Sequence, residues 1–177
     1  MTEPDQKKQG KKPLASKRYR RWLLEGLLLV IVLFALHWYQ TRHVVAGLAP
    51  EFETVLLDGA SASLSDYRGQ PLLLQFWASW CPVCRMELAS IDAVANDYAV
   101  LSIALDTMSA AQMSAWMQER AVDFQVSVRD AEHIASLYGV QGVPTSLIID
   151  ADGQIRFTEV GYTTEAGLRT RLWWVAQ

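Results

Sequence analysis

Cys81 and Cys84 are the only cysteines in a chain of 177 residues, and they stand two residues apart in the stretch FWASWCPVCR. That spacing admits three chemistries. A structural disulfide closing so short a loop removes little chain entropy and makes a poor staple. A zinc site needs about four ligands, whereas the chain has one Cys-X-X-Cys, with His43 and His133 remote in sequence; two thiolates alone suit Cu(I). The third is a reactive dithiol, in which one thiolate attacks a disulfide and the other resolves the mixed disulfide that forms.

The flanking residues favour the third. Residues 72–77, LLLQFW, form a nearly continuous apolar run, the mark of a strand buried on both faces. Beyond the first cysteine, Val83, Met86, Leu88, Ile91, Val94 and Ala95 recur at roughly helical spacing and predict a helix over 82–95. Pro82 suits its first turn, where a missing N–H is no loss. Cys81 then sits at the N-cap, facing unpaired N–H groups and the positive end of the helix dipole, a setting that stabilises a thiolate. Cys84 follows by nearly one turn, within reach of a mixed disulfide on Cys81. The geometry therefore orders them as nucleophile and resolver.

The other segments supply the frame. Residues 52–64 read as two short strands around the Asp58–Gly59 turn, and 64–71 as a loop punctuated by Gly69 and Pro71. Residues 98–105 are a second buried strand, 109–121 a helix with Ser109 as N-cap, 123–128 a short extended piece, and 130–140 a helix stopped by Gly139. Residues 145–150 and 154–160 form a hairpin about a DADG turn. A last helix starts from an N-cap at Thr163 or Thr164 and carries Trp173 and Trp174, expected to pack it onto the sheet. Strand, helix, strand, then hairpin and closing helix predict an α/β fold: a central mixed sheet with helices on both faces. Its two buried strands are parallel, joined by a right-handed crossover. Met113 and Met117, four apart on one helix, read as core positions rather than copper thioethers.

Composition is globular, with 51% hydrophobic and 20% charged residues. The net charge of −3 conceals an asymmetry. Lys7, Lys8, Lys11, Lys12, Lys17, Arg18, Arg20 and Arg21 crowd the first 21 residues against Glu3 and Asp5, while the part after residue 42 is strongly acidic, which disfavours nucleic acid as a partner. Between them, residues 22–39 are apolar except for Glu25, Gly26 and His37. That length matches a membrane-spanning helix, with Trp22 and Trp38–Tyr39 as interfacial anchors and a cytoplasmic N-terminus. The competing reading, a cleaved signal peptide, has small residues at 44–47, but these lie well beyond the apolar core. Either reading exports the folded part to a compartment where a dithiol can persist oxidised.

FWASWCPVCR, followed about sixty residues on by GVPTSLIID and preceded by DGASASLSDYRGQPLLLQFW, resembles the thioredoxin-fold proteins. Within them it resembles the membrane-anchored, exported TlpA-like and ScsD-like thiol-disulfide oxidoreductases, a branch that also holds the cytochrome-c-maturation thioredoxins. The resemblance implies a thioredoxin fold with an N-terminal β-hairpin extension, preceded by one transmembrane helix. The domains would be a basic cytoplasmic tail (1–21), a signal-anchor helix (22–39), a linker (40–51) and a thioredoxin-like domain (52–177). It implies Cys81 as an exposed nucleophile and Cys84 as its buried partner, forming the redox-active disulfide Cys81–Cys84, with no cofactor and no metal. Trp80 would flank the site, and Pro82 and Val83 would fill the dithiol loop. Pro144 after Val143 matches the family's cis-proline, whose loop lies against the dithiol and offers backbone to an incoming peptide. Gln75 replaces the buried Asp with which cytoplasmic thioredoxins move protons. Glu87 matches a carboxylate of the cytochrome-maturation branch, acting as acid/base or on thiol pKa; the alternative for it is a solvated charge on the helix face. The implied activity is disulfide exchange with exported proteins, as a reductant fed by a transmembrane electron donor of the DsbD/ScsB kind. That places it on the bacterial inner membrane with the domain in the periplasm and implies a link to copper tolerance; the alternatives are a specialist reductant in cytochrome c maturation and, from another class, a Cu(I)-binding module using the same two thiols.

Overall fold

The computed structural model describes residues 15–177, so most of the basic tail expected over 1–21 lies outside the described residues. The chain divides into two compact units, one ending at Tyr39 and the other spanning Gln40–Gln177. The first is the long helix α1 (Ala15–Thr41), in which Arg21 Nε pairs with Glu25 Oε1 at 2.8 Å, one turn away. Its side chains from Tyr19 to Leu36 are all exposed. The membrane span expected over 22–39 is not found: among the described residues no helix is long and apolar enough to cross a membrane.

The second unit is built on a six-stranded mixed sheet in the order β1-β8-β7-β4-β5-β6. Its strands are β1 (Gly47–Leu48), β4 (Leu72–Trp77), β5 (Ala99–Ala104), β6 (Val126–Ser127), β7 (Thr145–Ile149) and β8 (Gln154–Val160). β4, β5 and β6 run parallel, while β7, β8 and β1 are antiparallel to their neighbours. The helix α2 (Pro82–Ala95) makes the predicted crossover from β4 to β5. A separate hairpin of β2 (Glu53–Val55) and β3 (Ser61–Ser63) supplies the expected extension, turning at Gly59 with φ +88°.

β4 is buried along its whole length because it is covered on both faces. Leu73 and Trp77 pack with Leu88, Ile91 and Val94 of α2, with Met113 and Met117 of α3 (Ala110–Gln118), and with Leu168 and Leu172 of α5 (Glu165–Val175). Leu72, Leu74 and Phe76 pack the other way, against Ala131, Ile134 and Ala135 of α4 (Ala131–Leu137) and Tyr138. The alternation of side chains along a strand makes both clusters from one run of six residues. Met113 and Met117 are core, as their spacing predicts.

Three expectations change. The linker over 40–51 is partly built into the domain: β1 adds to the sheet edge beside β8, Val45 N–H donates to Tyr138 O at 3.1 Å, and Ala49 is buried. Gly139 explains that docking. Its φ is +68°, and a Cβ there would lie 1.9 Å from His43 O, so only glycine permits the approach. The loop over 64–71 opens with a 3-10 turn at Leu64–Tyr67, where the Ser63 N–H donates to Asp66 Oδ2 at 2.7 Å and Leu64 is buried. Trp173 and Trp174 do not pack onto the sheet. They are 53% and 65% exposed, because Leu168 and Leu172, one turn apart, already take the inward face of α5. Thr164, rather than Thr163, caps this helix by accepting from Gly167 N–H at 3.2 Å.

Candidate active site

The site begins where β4 ends. The parallel pairing ends at Trp77 with Ala104, and Ser79 and Asp106 each lie two residues beyond their strands. There the Asp106 carboxylate accepts from Ser79 N–H at 2.7 Å and from Ser79 Oγ at 2.8 Å, clamping the turn that leads to the cysteines. Trp80 donates from Nε1 to Leu105 O at 3.2 Å and leaves its ring 65% exposed beside the dithiol.

Cys81 is the N-cap of α2, with φ −81° and ψ 116°, and Pro82 opens the helix. Its Sγ accepts from Cys84 N–H at 3.2 Å, one of the amides that a helix start leaves unpaired. Its S–H points to Val143 O at 3.7 Å. The Val143–Pro144 bond is cis. That loop is held by Thr145 Oγ1 donating to Gly142 O at 2.8 Å and by Gly161 N–H donating to Pro144 O at 2.9 Å.

Both thiols are free and both are buried. Cys81 is only 5% exposed, not open to solvent as expected, because the Val143 carbonyl closes over its sulfur. Cys84 is 1% exposed, so the order of access still favours Cys81. Burial first, then hydrogen bonding to Cys81, pushes the Cys84 thiol up to about 12, with the Cys81 and Glu87 charges adding to the rise. Val83 and Met86 lie on the outward side of α2, 38% and 68% exposed.

Below the dithiol is a buried polar chain. Ser102 Oγ donates to Gln75 Oε1 at 3.3 Å, and Gln75 Nε2 donates to Glu87 Oε2 at 3.3 Å. Thr163 N–H donates to Glu87 Oε1. Glu87 is 1% exposed, so it is not a solvated helix-face charge. Burial raises its carboxyl to about 7, against the pull of the two hydrogen bonds from Thr163 and Gln75. Lying three residues from Cys84 on the same helix, it is a carboxylate poised near neutrality next to a thiol that does not ionise unaided.

Gln75, Trp80, Cys81, Pro82, Val83, Cys84, Glu87, Val143 and Pro144 thus converge on one locus from β4, the start of α2 and the loop before β7. Asp106, Ser102 and the Thr163 amide were not foreseen as parts of it. Asp106 had a signal, since it sits as far beyond the second parallel strand as Ser79 does beyond the first. Among the described residues no group of three or more His, Cys, Asp or Glu is arranged to hold a metal ion.

Fold and site together define a thioredoxin-fold protein-disulfide oxidoreductase. Residues 45–158 match the AhpC/TSA family, and the chain belongs to it. It is 30% identical over 167 residues to the thioredoxin-like protein YneN of Bacillus subtilis, covering 86% of this chain and 97% of that one. Over 117 residues it is 35% identical to the thiol:disulfide interchange protein DsbE of Allochromatium vinosum, covering 64% of this chain and 65% of that one. The crystal structure of a putative thiol:disulfide interchange protein DsbE from Chlorobium tepidum superposes with a TM-score of 0.68 at 27% identity, over 76% of this chain and 99% of that one.

Proposed function

We propose that the chain is a reductant of disulfides in exported proteins. Cys81 gives up its S–H proton as its Sγ attacks a substrate disulfide, one substrate sulfur leaves as thiolate and takes up a proton from solvent, and a Cys81–substrate mixed disulfide forms. Glu87 takes the proton of Cys84. The Cys84 thiolate then attacks Cys81, the second substrate sulfur leaves, and the pair ends as the Cys81–Cys84 disulfide with the substrate reduced. A dithiol donor returns the pair to its starting state, and the resemblance to the TlpA/ScsD-like branch points to a transmembrane one of the DsbD/ScsB kind.

The observation that carries the direction is the environment of Cys81. Strong oxidants owe their potential to a stabilised reduced form. Here Val83 brings no charge to the sulfur, whose partners are Cys84 N–H and Val143 O. The redox state of the pair in cells tests this. Thiol alkylation before and after reduction should find it mostly reduced; a mostly oxidised pool would make the protein an oxidase.

A narrower reading, reduction of the apocytochrome c disulfide to its thiols, is favoured by the burial of Glu87, the residue that matches the cytochrome-maturation branch. It predicts loss of mature cytochrome c on deletion of the gene. The location belongs to the same proposal: a domain exported to the periplasm and held at the inner membrane by residues 22–39. Its support is the basic cluster before residue 22, the apolar run over 22–39, and the exposure of the apolar side chains of α1, which water does not favour on every side of a helix. Copper tolerance rests on the resemblance alone.

A further inference from the structure

The face of the sheet beneath α2 and α5 is apolar except for one row. Across β5, β4, β7 and β8, the directly opposed residues are Ser102, Gln75, Ser146 and Glu159. All four belong to the face of Val100, Leu73, Trp77, Ile148 and Phe157, which pack beneath those helices. The row is joined at one end, from Ser102 to Gln75 and on to Glu87. At the other end Glu159 Oε1 meets Arg171 Nη2 at 2.7 Å, and there both side chains reach solvent.

Ser146 is the break in the row. It is 1% exposed, and its Oγ has no hydrogen-bond partner among the described residues. Opposed residues on antiparallel strands hold their Cβ atoms about 4.5–5.5 Å apart, and buried polar groups at such separations are commonly joined by an ordered water. The acid beside the row has a matching need. The partners of Glu87 are the N–H groups of Thr163 and Gln75, amides that donate hydrogen bonds but accept no proton.

We propose that Ser146 Oγ holds an ordered water beside Glu87, and that this water, the Ser146 hydroxyl and the Glu159 carboxylate carry protons between Glu87 and solvent. The inference rests on the acid/base reading of Glu87 given above. When Glu87 has taken the proton of Cys84, it passes that proton to the water. The water and the hydroxyl each hand one on, Glu159 receives one at the surface, and it releases it to bulk. No electrons move, and Glu87 returns to its carboxylate form for the next turnover. Ser146 and Glu159 act through Glu87 and touch no substrate.

The test is the rate of mixed-disulfide resolution by the full chain over repeated turnovers, with substrate disulfide and dithiothreitol in excess, so that Glu87 must be emptied in every cycle. Ser146→Ala should slow resolution about tenfold, a share of the roughly hundredfold or greater effect of a positioned acid/base. It should leave the attack of Cys81 and the thermal midpoint unchanged. Ser146→Thr, which restores a hydroxyl, should recover the rate, and Glu159→Gln should slow it as Ser146→Ala does. A Ser146→Ala protein that resolves at the wild-type rate overturns the route, as does a slowed one that Ser146→Thr fails to rescue. Glu87→Gln separates the two readings. If it is slow while Ser146→Ala is not, only the route is wrong; if it too resolves at the wild-type rate, the acid/base role of Glu87 falls and the route with it.

Discussion

Gln75 Nε2 lies 3.3 Å from Glu87 Oε2, an amide beneath a carboxylate where both are buried. The amide can turn over. With Gln75 reversed, its oxygen would face residue 87 and its NH2 would face Ser102 Oγ, which can accept. Glu87→Gln therefore keeps a full set of partners and removes only the ionisable group. Resolution of the mixed disulfide should slow by roughly a hundredfold or more, the usual scale for loss of a positioned acid/base, while formation of the mixed disulfide stays fast. Quenched-flow alkylation separates the two steps.

The same carboxyl makes stability depend on pH in a stated direction. Its folded value, about 7, lies above its ordinary 4.5, so the folded state holds its proton more tightly than the unfolded chain does. Its favourable contribution is complete below about 4.5 and is lost as pH rises through about 7. At about 1.4 kcal/mol per pKa unit the loss amounts to roughly 3 kcal/mol. Denaturant titrations across this window should show the decline in the wild type and a flat profile in Glu87→Gln.

Asp106 gives two acceptors to Ser79, one of them to a backbone N–H. Asp106→Ala leaves that amide without its partner and should cost about 1–3 kcal/mol. Because the clamp sets the approach to Cys81, the rate of the first exchange step should fall as well. Asp106→Asn, which keeps one acceptor, should recover part of both, as read by urea unfolding and by exchange kinetics on the same preparations.

Gly139 lets the segment after α1 lie against the end of α4. Gly139→Ala places a methyl 1.9 Å from His43 O at a φ of +68°. Undocking of residues 43–45, with a loss of about 1–3 kcal/mol, is the expected outcome. Hydrogen exchange should show it at Val45 N–H, whose acceptor is Tyr138 O, with the active-site amides unaffected.

The parts of the fold that follow from local pattern were legible in the sequence. LLLQFW, the helix after Pro82 and the hairpin around residues 150–153 stand where their apolar runs and turn residues place them. So does the Cys81 N-cap, because one strand, one proline and one helical stripe fix it. What was hidden depends on contacts between distant segments. The burial of Glu87 requires the Thr163 loop to fold over it, 76 residues away. The docking of residues 45–49 requires a glycine 90 or more positions later to leave room. The outward Trp173 and Trp174 show the converse error, since large aromatics invite an inward assignment, whereas Leu168 and Leu172 already occupy that face.

The two cysteines divide the labour: Cys81 attacks and Cys84, buried and with its thiol pushed up to about 12, resolves. Trapping in cells tests it directly. Cys84→Ser should accumulate substrate proteins in dithiothreitol-sensitive adducts with Cys81, and Cys81→Ser should accumulate none. Adducts on Cys81→Ser, or no adducts on Cys84→Ser while the purified protein binds Cu(I) tightly through the two thiols, would rule out this division of roles.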